Sequence, residues 1–124
     1  MEEEINYRYL RKIQQSEKNS PKLSKLDKNF YNDVSKYLKN LENRNKKNDS
    51  LQKQKIIHEE IKNTKKIIEN IYELREKKII LAAISKSRGG KPNIDMLLEN
   101  EKRLFDSVIL SANNSRKEIL NKDF

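Results

Sequence analysis

The chain has no cysteine, and that absence removes three chemistries at once. A disulfide scaffold, a thiolate zinc site and a cysteine nucleophile are all excluded. Tryptophan is missing too, and His58 is the single histidine. His58-Glu59-Glu60 starts like a zinc-binding His-Glu-x-x-His helix, but that pattern needs a second histidine where this chain has Lys62. Glycine and proline occur only twice each, at Gly89, Gly90, Pro21 and Pro92. Long stretches are therefore free of helix breakers. Gly89-Gly90-Lys91 is not a phosphate loop, because a helical pattern stands in front of it and Pro92 follows the lysine. No apolar run approaches the roughly 20 residues of a membrane span. The opening MEEEINYRYLRK is acidic where a secretion signal begins basic. A soluble, intracellular and non-catalytic protein without metal or cofactor is the expectation.

What the chain does have is charge. Of 124 residues, 38% are charged and 34% hydrophobic, with a mean hydropathy of -1.05. That balance suits disorder unless the apolar residues are periodic, and here they are. The net charge of +9 is spread out: residues 1–50 hold 12 Lys and Arg against 8 Asp and Glu, and residues 51–100 hold 11 against 7. Spread charge allows weak, salt-sensitive attraction to nucleic acid without specifying it.

The periodicity is helical throughout. Ile5, Tyr9 and Ile13 predict a first helix over residues 3–18, ended by Asn19-Ser20-Pro21. Asp27 is placed to cap a second helix carrying Phe30, Tyr31, Val34, Tyr37, Leu38 and Leu41. Residues 42–50 have no apolar side chain and predict a solvated linker, with Arg44, Lys46 and Lys47 as the alternative of a phosphate contact. Asp49 with Gln52 can cap a long helix from about Ser50 to Arg88. Its apolar positions are Ile57, Ile61, Ile68, Ile71 and Leu74, followed by the block Ile79 to Ile84. Such a helix measures about 55 Å at about 1.5 Å per residue. It must project beyond its bundle or lie along a partner, and its more charged first half is the expected partner-facing edge. Asn93 can cap a last helix with Ile94, Leu97, Leu98, Leu104, Phe105, Val108 and Ile109 on one face. The expected fold is an all-α bundle of four or five helices spanning residues 1–120, with 121–124 as a helix end or the start of a linker.

Two stretches resemble the helical domain of the GINS family, a four-part scaffold of the archaeal and eukaryotic replication fork. YRYLRKIQQSEKNSPKLSKLDKNFYNDVSKYLKNL, from Tyr7, is similar to the family's opening: a helix, Ser-Pro, two spaced leucines, then Phe-Tyr. EIKNTKKIIENIYELREKKIILAA, from Glu60, resembles its pattern of an Arg, a Lys-Ile and a nearby Ala late in the long helix. Glu101-Lys102-Arg103-Leu104-Phe105 fits the helix that follows. The helical part stands first, as in the archaeal class with an N-terminal helical domain; the family's β domain is not expected within these residues, either because it is excised or because the protein naturally lacks it.

The resemblance implies a scaffold that performs no catalysis. Its partners would be other GINS subunits, the MCM helicase ring and a RecJ-like protein, met in the cytoplasm at the replication fork. Arg75 and Lys78 share a helical face, so one of them is expected to pair with Glu101 on the returning helix across the Gly89-Gly90 turn. Ile79, Phe30, Tyr31, Ile57, Ile61, Ile68 and Phe105 are the matching packing or interface positions. The alternative is a stand-alone basic module binding DNA or RNA through Lys53, Lys55, Lys62, Lys65, Lys66 and Lys77. A coiled-coil adaptor fits less well, because the apolar heptads break at Arg75 and Lys78.

Overall fold

The computed structural model describes residues 4–121, and among them every regular element is a helix. They are α1 (Tyr7–Asn19), α2 (Phe30–Lys46), α3 (Leu51–Ser87) and α4 (Glu99–Leu120). The fold is the expected all-α bundle with one long member. The expected start of the first helix at residue 3 and the expected helix end or linker over 122–124 lie outside the described residues.

α3 is the spine. Its 37 residues bury one stripe, Ile57, Ile61, Thr64, Ile67, Ile71, Arg75, Ile79 and Ala83, at steps of three and four. The stripe passes through Ile67, leaving the expected Ile68 half-buried at its edge. The other three helices each pack their backbones close to α3, and meet one another only through side chains that reach across it. Three apolar clusters follow along the spine. Leu41 meets Ile57 and Ile61 near the start. Leu10, Ile13, Leu26, Phe30, Val34 and Leu98 surround Ile67 and Ile71 in the middle. Phe105 packs with Ile79 and Ala83 near the end.

The first half of α3 does not stand free, contrary to expectation. α2 runs on to Lys46, because a polar stretch rich in Lys, Arg and Glu continues a helix readily once its apolar face is docked. The linker shrinks to residues 47–50, and α2 folds back antiparallel over Ile57 and Ile61. Ser50, not Asp49, caps α3 by accepting from the Lys53 N–H. Asp27 also differs from its expected role. It accepts from the Asn29 N–H in the turn before α2, whose N-cap Asn29 makes no side-chain cap bond. Asn6 caps α1, which begins at Tyr7.

The largest departure lies after α3. Pro92 keeps the chain out of helix, and residues 88–98 run back along α3 before α4 begins at Glu99 rather than just after Asn93. Asn93 accepts instead from the Asp95 N–H within this return segment. Consequently α4 lies parallel to α3. Glu101 meets Arg75, Phe105 meets Ile79, and Arg116 donates to the Ser87 carbonyl at 2.9 Å. α1 is also parallel, since Gln14 bonds Asn70 and Glu17 bonds Arg75 and Lys78. Residues 20–29 are its return segment.

Candidate functional site

Arg75 occupies a core position. It follows Ile71 and precedes Ile79 on the stripe by one helical turn each, so the geometry that buries two isoleucines buries a guanidinium. The side chain is wholly inaccessible. A buried charge must be paired and fully hydrogen-bonded to be tolerated. Here all five N–H donors are used. Nε and Nη2 each donate at 2.7 Å to a separate oxygen of Glu101. Nη1 donates to Glu17 Oε2 at 2.7 Å and to the Ser24 carbonyl at 2.8 Å. Nη2 also donates to the Met96 carbonyl at 3.0 Å.

Those two carbonyls belong to the two return segments. Both segments spend backbone acceptors on Arg75, which is a reason they are not helical there. The carboxylates are satisfied as well. Glu101 Oε2 accepts from the Tyr31 hydroxyl at 2.8 Å, and Oε1 from the Leu98 N–H at 3.0 Å, which also closes the first turn of α4. Glu17 Oε1 accepts from Lys78 Nζ at 2.7 Å and the Ser24 N–H at 3.3 Å. Lys78 Nζ completes its three bonds on the Glu17 and Lys22 carbonyls, closing the C-terminal end of α1. Two cations and two carboxylates thus form a neutral buried cluster tying α1, α2, α3, α4 and both return segments together.

The ionisation follows from these contacts. Burial by itself favours a neutral Glu101, but the hydrogen bonds from Arg75 and Leu98 and the Arg75 charge outweigh it and hold the carboxyl below its ordinary range. Burial also opposes the Arg75 charge, and the bonds to Glu101 and Glu17 overcome it, raising its already high pKa. Tyr31 is raised by burial first and then by the adjacent Glu101 charge, so it stays a neutral donor.

The expected site residues separate into two groups. Arg75, Lys78, Glu101 and Tyr31 meet in the cluster, with Phe30, Ile79 and Phe105 packed around it. Lys78 does not pair with Glu101; Glu17 takes it, because Lys78 lies nearly one turn further along α3 and faces α1. Ile57 and Ile61 sit in the α2–α3 cluster, with Ile61 about 20 Å from Arg75 along α3 at about 1.5 Å per residue. Glu17 and Gln14 were missed. Their signal is spacing: Leu10, Ile13, Gln14 and Glu17 share a helical face, and all four are buried.

With every donor and acceptor engaged internally, the cluster offers no free group to a ligand. It fixes the relative positions of the helices. No group of His, Asp and Glu placed to hold a metal occurs among the described residues, and none of their helices is long and apolar enough to cross a membrane. No family model, curated protein or solved structure matches this chain.

Proposed function

We propose that the chain is a non-catalytic scaffold subunit of a GINS-type assembly in DNA replication. It would pack with sister subunits through its helices and bridge an MCM helicase ring to a RecJ-like partner at the fork. One observation carries this reading. The stretches that resemble the family lie far apart in the chain, yet Tyr31, Arg75, Lys78 and Glu101 from those stretches converge on one buried cluster. The role itself is carried over from the resemblance of these stretches.

Exposed apolar side chains give such a subunit something to pack with. Leu51 and Ile56 stand out from the hairpin end of α3, and Ile119 and Leu120 from the end of α4. The alternative of a DNA- or RNA-binding module has less support. Lys55, Lys62, Lys66 and Lys77 share the outer face of α3 with Glu59, Glu69 and Glu73, all exposed. A face of mixed sign lacks the single-signed stripe of a phosphate-tracking surface.

Light scattering after size exclusion tests the reading, alone and with candidate sister subunits, followed by retention on an immobilised helicase ring. A dimer or tetramer that retains the helicase is expected. A monomer of 14.8 kDa in every mixture, with no retention, overturns it.

A further inference from the structure

On the face of α3 between the two return segments lies an open groove of about 610 Å³. Leu74, Leu81 and Ala82 form its floor, with Pro21 and Leu23 on one wall and Pro92 on the other. Leu81 is 58% exposed despite this apolar setting. The rim is cationic. Lys18, Lys22, Lys77 and Lys78 line the groove against one carboxylate, Glu17, which is fully buried and consumed by Arg75 and Lys78. Lys78 is spent as well, whereas Lys18, Lys22 and Lys77 are exposed and no carboxylate among the described residues pairs with their ammonium groups.

We infer that this groove binds a short acidic amphipathic helix of a partner protein. Its leucines would sit on Leu74 and Leu81, and its Asp and Glu side chains would reach Lys18, Lys22 and Lys77. Charge complementarity selects the sign of the partner, and the aliphatic floor selects its apolar stripe. From Leu74 to Ala82 the floor spans about 12 Å at about 1.5 Å per residue, room for about two helical turns. The wall positions are held by the buried Arg75 and Lys78 bonds to the Ser24, Met96, Glu17 and Lys22 carbonyls, so the groove is preformed. A nucleic-acid strand fits less well, because no aromatic ring lines the floor for a base to stack upon.

The test uses the full chain, isotope-labelled, against a panel of synthetic three-turn helical peptides. Each carries a leucine stripe flanked by glutamates, and each has a matched twin with lysines for the glutamates. Acidic peptides are expected to shift the amide signals of Lys22, Lys77 and Leu81 and to bind more tightly than their basic twins. Leu81→Ser removes an exposed side chain and should leave the fold intact by circular dichroism while weakening binding about tenfold, the cost of losing one buried leucine contact. Lys77→Glu should weaken the acidic peptides and strengthen the basic ones. The proposal is overturned if no acidic peptide binds better than its twin, if Leu81→Ser changes nothing, or if a single-stranded oligonucleotide displaces the peptides and is itself unaffected by Leu81→Ser. None of these results depends on a role in replication.

Discussion

The Arg75 guanidinium and the Glu101 carboxylate meet edge to edge, Nε and Nη2 each 2.7 Å from a different oxygen. This bidentate pair joins the middle of α3 to the first turn of α4. Both side chains are out of water, so neither can turn to solvent for the lost bonds if the other is removed.

Arg75→Ala should therefore cost about 3–5 kcal/mol, since it leaves the buried Glu101 carboxylate without a cation and Glu17 with Lys78 alone. That is a large share of a typical domain's stability of about 5–15 kcal/mol. Arg75→Lys should not restore it, because one ammonium cannot serve five divergent acceptors. Combining Arg75→Met with Glu101→Gln should recover part of the loss by removing the stranded charge while Glu17 stays paired with Lys78. Urea unfolding followed by circular dichroism measures all three.

Acid should act through Glu101. Its folded pKa lies below the unfolded carboxylate value of about 4.3, so the native state binds fewer protons than the unfolded chain across that interval. Stability is then fully present above that unfolded value and is lost as pH falls through the lower folded one. Glu101→Gln should lower stability at neutral pH and flatten this acid limb. Tyr31 has the opposite sign: its raised pKa protects the fold below about pH 10, and stability falls as pH climbs beyond it. Tyr31→Phe should remove that alkaline component, which denaturation midpoints taken across pH would reveal.

Thr64 is fully buried on the α3 stripe, and its hydroxyl has no hydrogen-bond partner. Valine has nearly the same shape and no hydroxyl. Thr64→Val should stabilise the protein by about 1 kcal/mol, the lower end of the penalty for an unpaired buried polar group. A higher urea midpoint with an unchanged slope is the expected readout.

The turn after α3 should resist side chains at both glycines, for different reasons. Gly89 has φ +89, so Gly89→Ala should cost about 1–2 kcal/mol of backbone strain. At Gly90 a Cβ would collide with Ser85 Oγ and fall 2.9 Å from the Ser85 carbonyl oxygen. Adding Ser85→Ala should not rescue Gly90→Ala, because the backbone carbonyl remains. Thermal melts of the single and double variants decide this.

Much of the architecture was legible in the sequence, though unevenly. The length of α3 and the helical class follow from a break-free stretch with steps of three and four. The Arg75–Glu101 pair could be anticipated because Arg75 interrupts an apolar stripe, and a charge there needs a partner. The direction of α4 could not. Two glycines and a proline suggest a tight reversal, whereas residues 88–98 run back along α3 so that the Met96 carbonyl reaches Arg75. Glu17 was hidden for a related reason. Reading only apolar residues placed the α1 stripe on Ile5, Tyr9 and Ile13, but the buried face includes Gln14 and Glu17, whose partners lie 56 and 58 residues away.

The parallel lie of α1 and α4 against α3 has a consequence for the order of folding. Antiparallel α2 needs only residues 47–50 to reach its place on the spine, a short loop that closes quickly. The Arg75 cluster must wait for contacts 21 to 70 residues apart to be drawn together. The hairpin end of the molecule is thus expected to condense first and the charged cluster to latch last. Kinetic measurements should show it: Leu41→Ala should slow refolding, whereas Glu101→Gln should leave refolding nearly unchanged and hasten unfolding. A protein built this way can loosen at the latch while the hairpin remains formed.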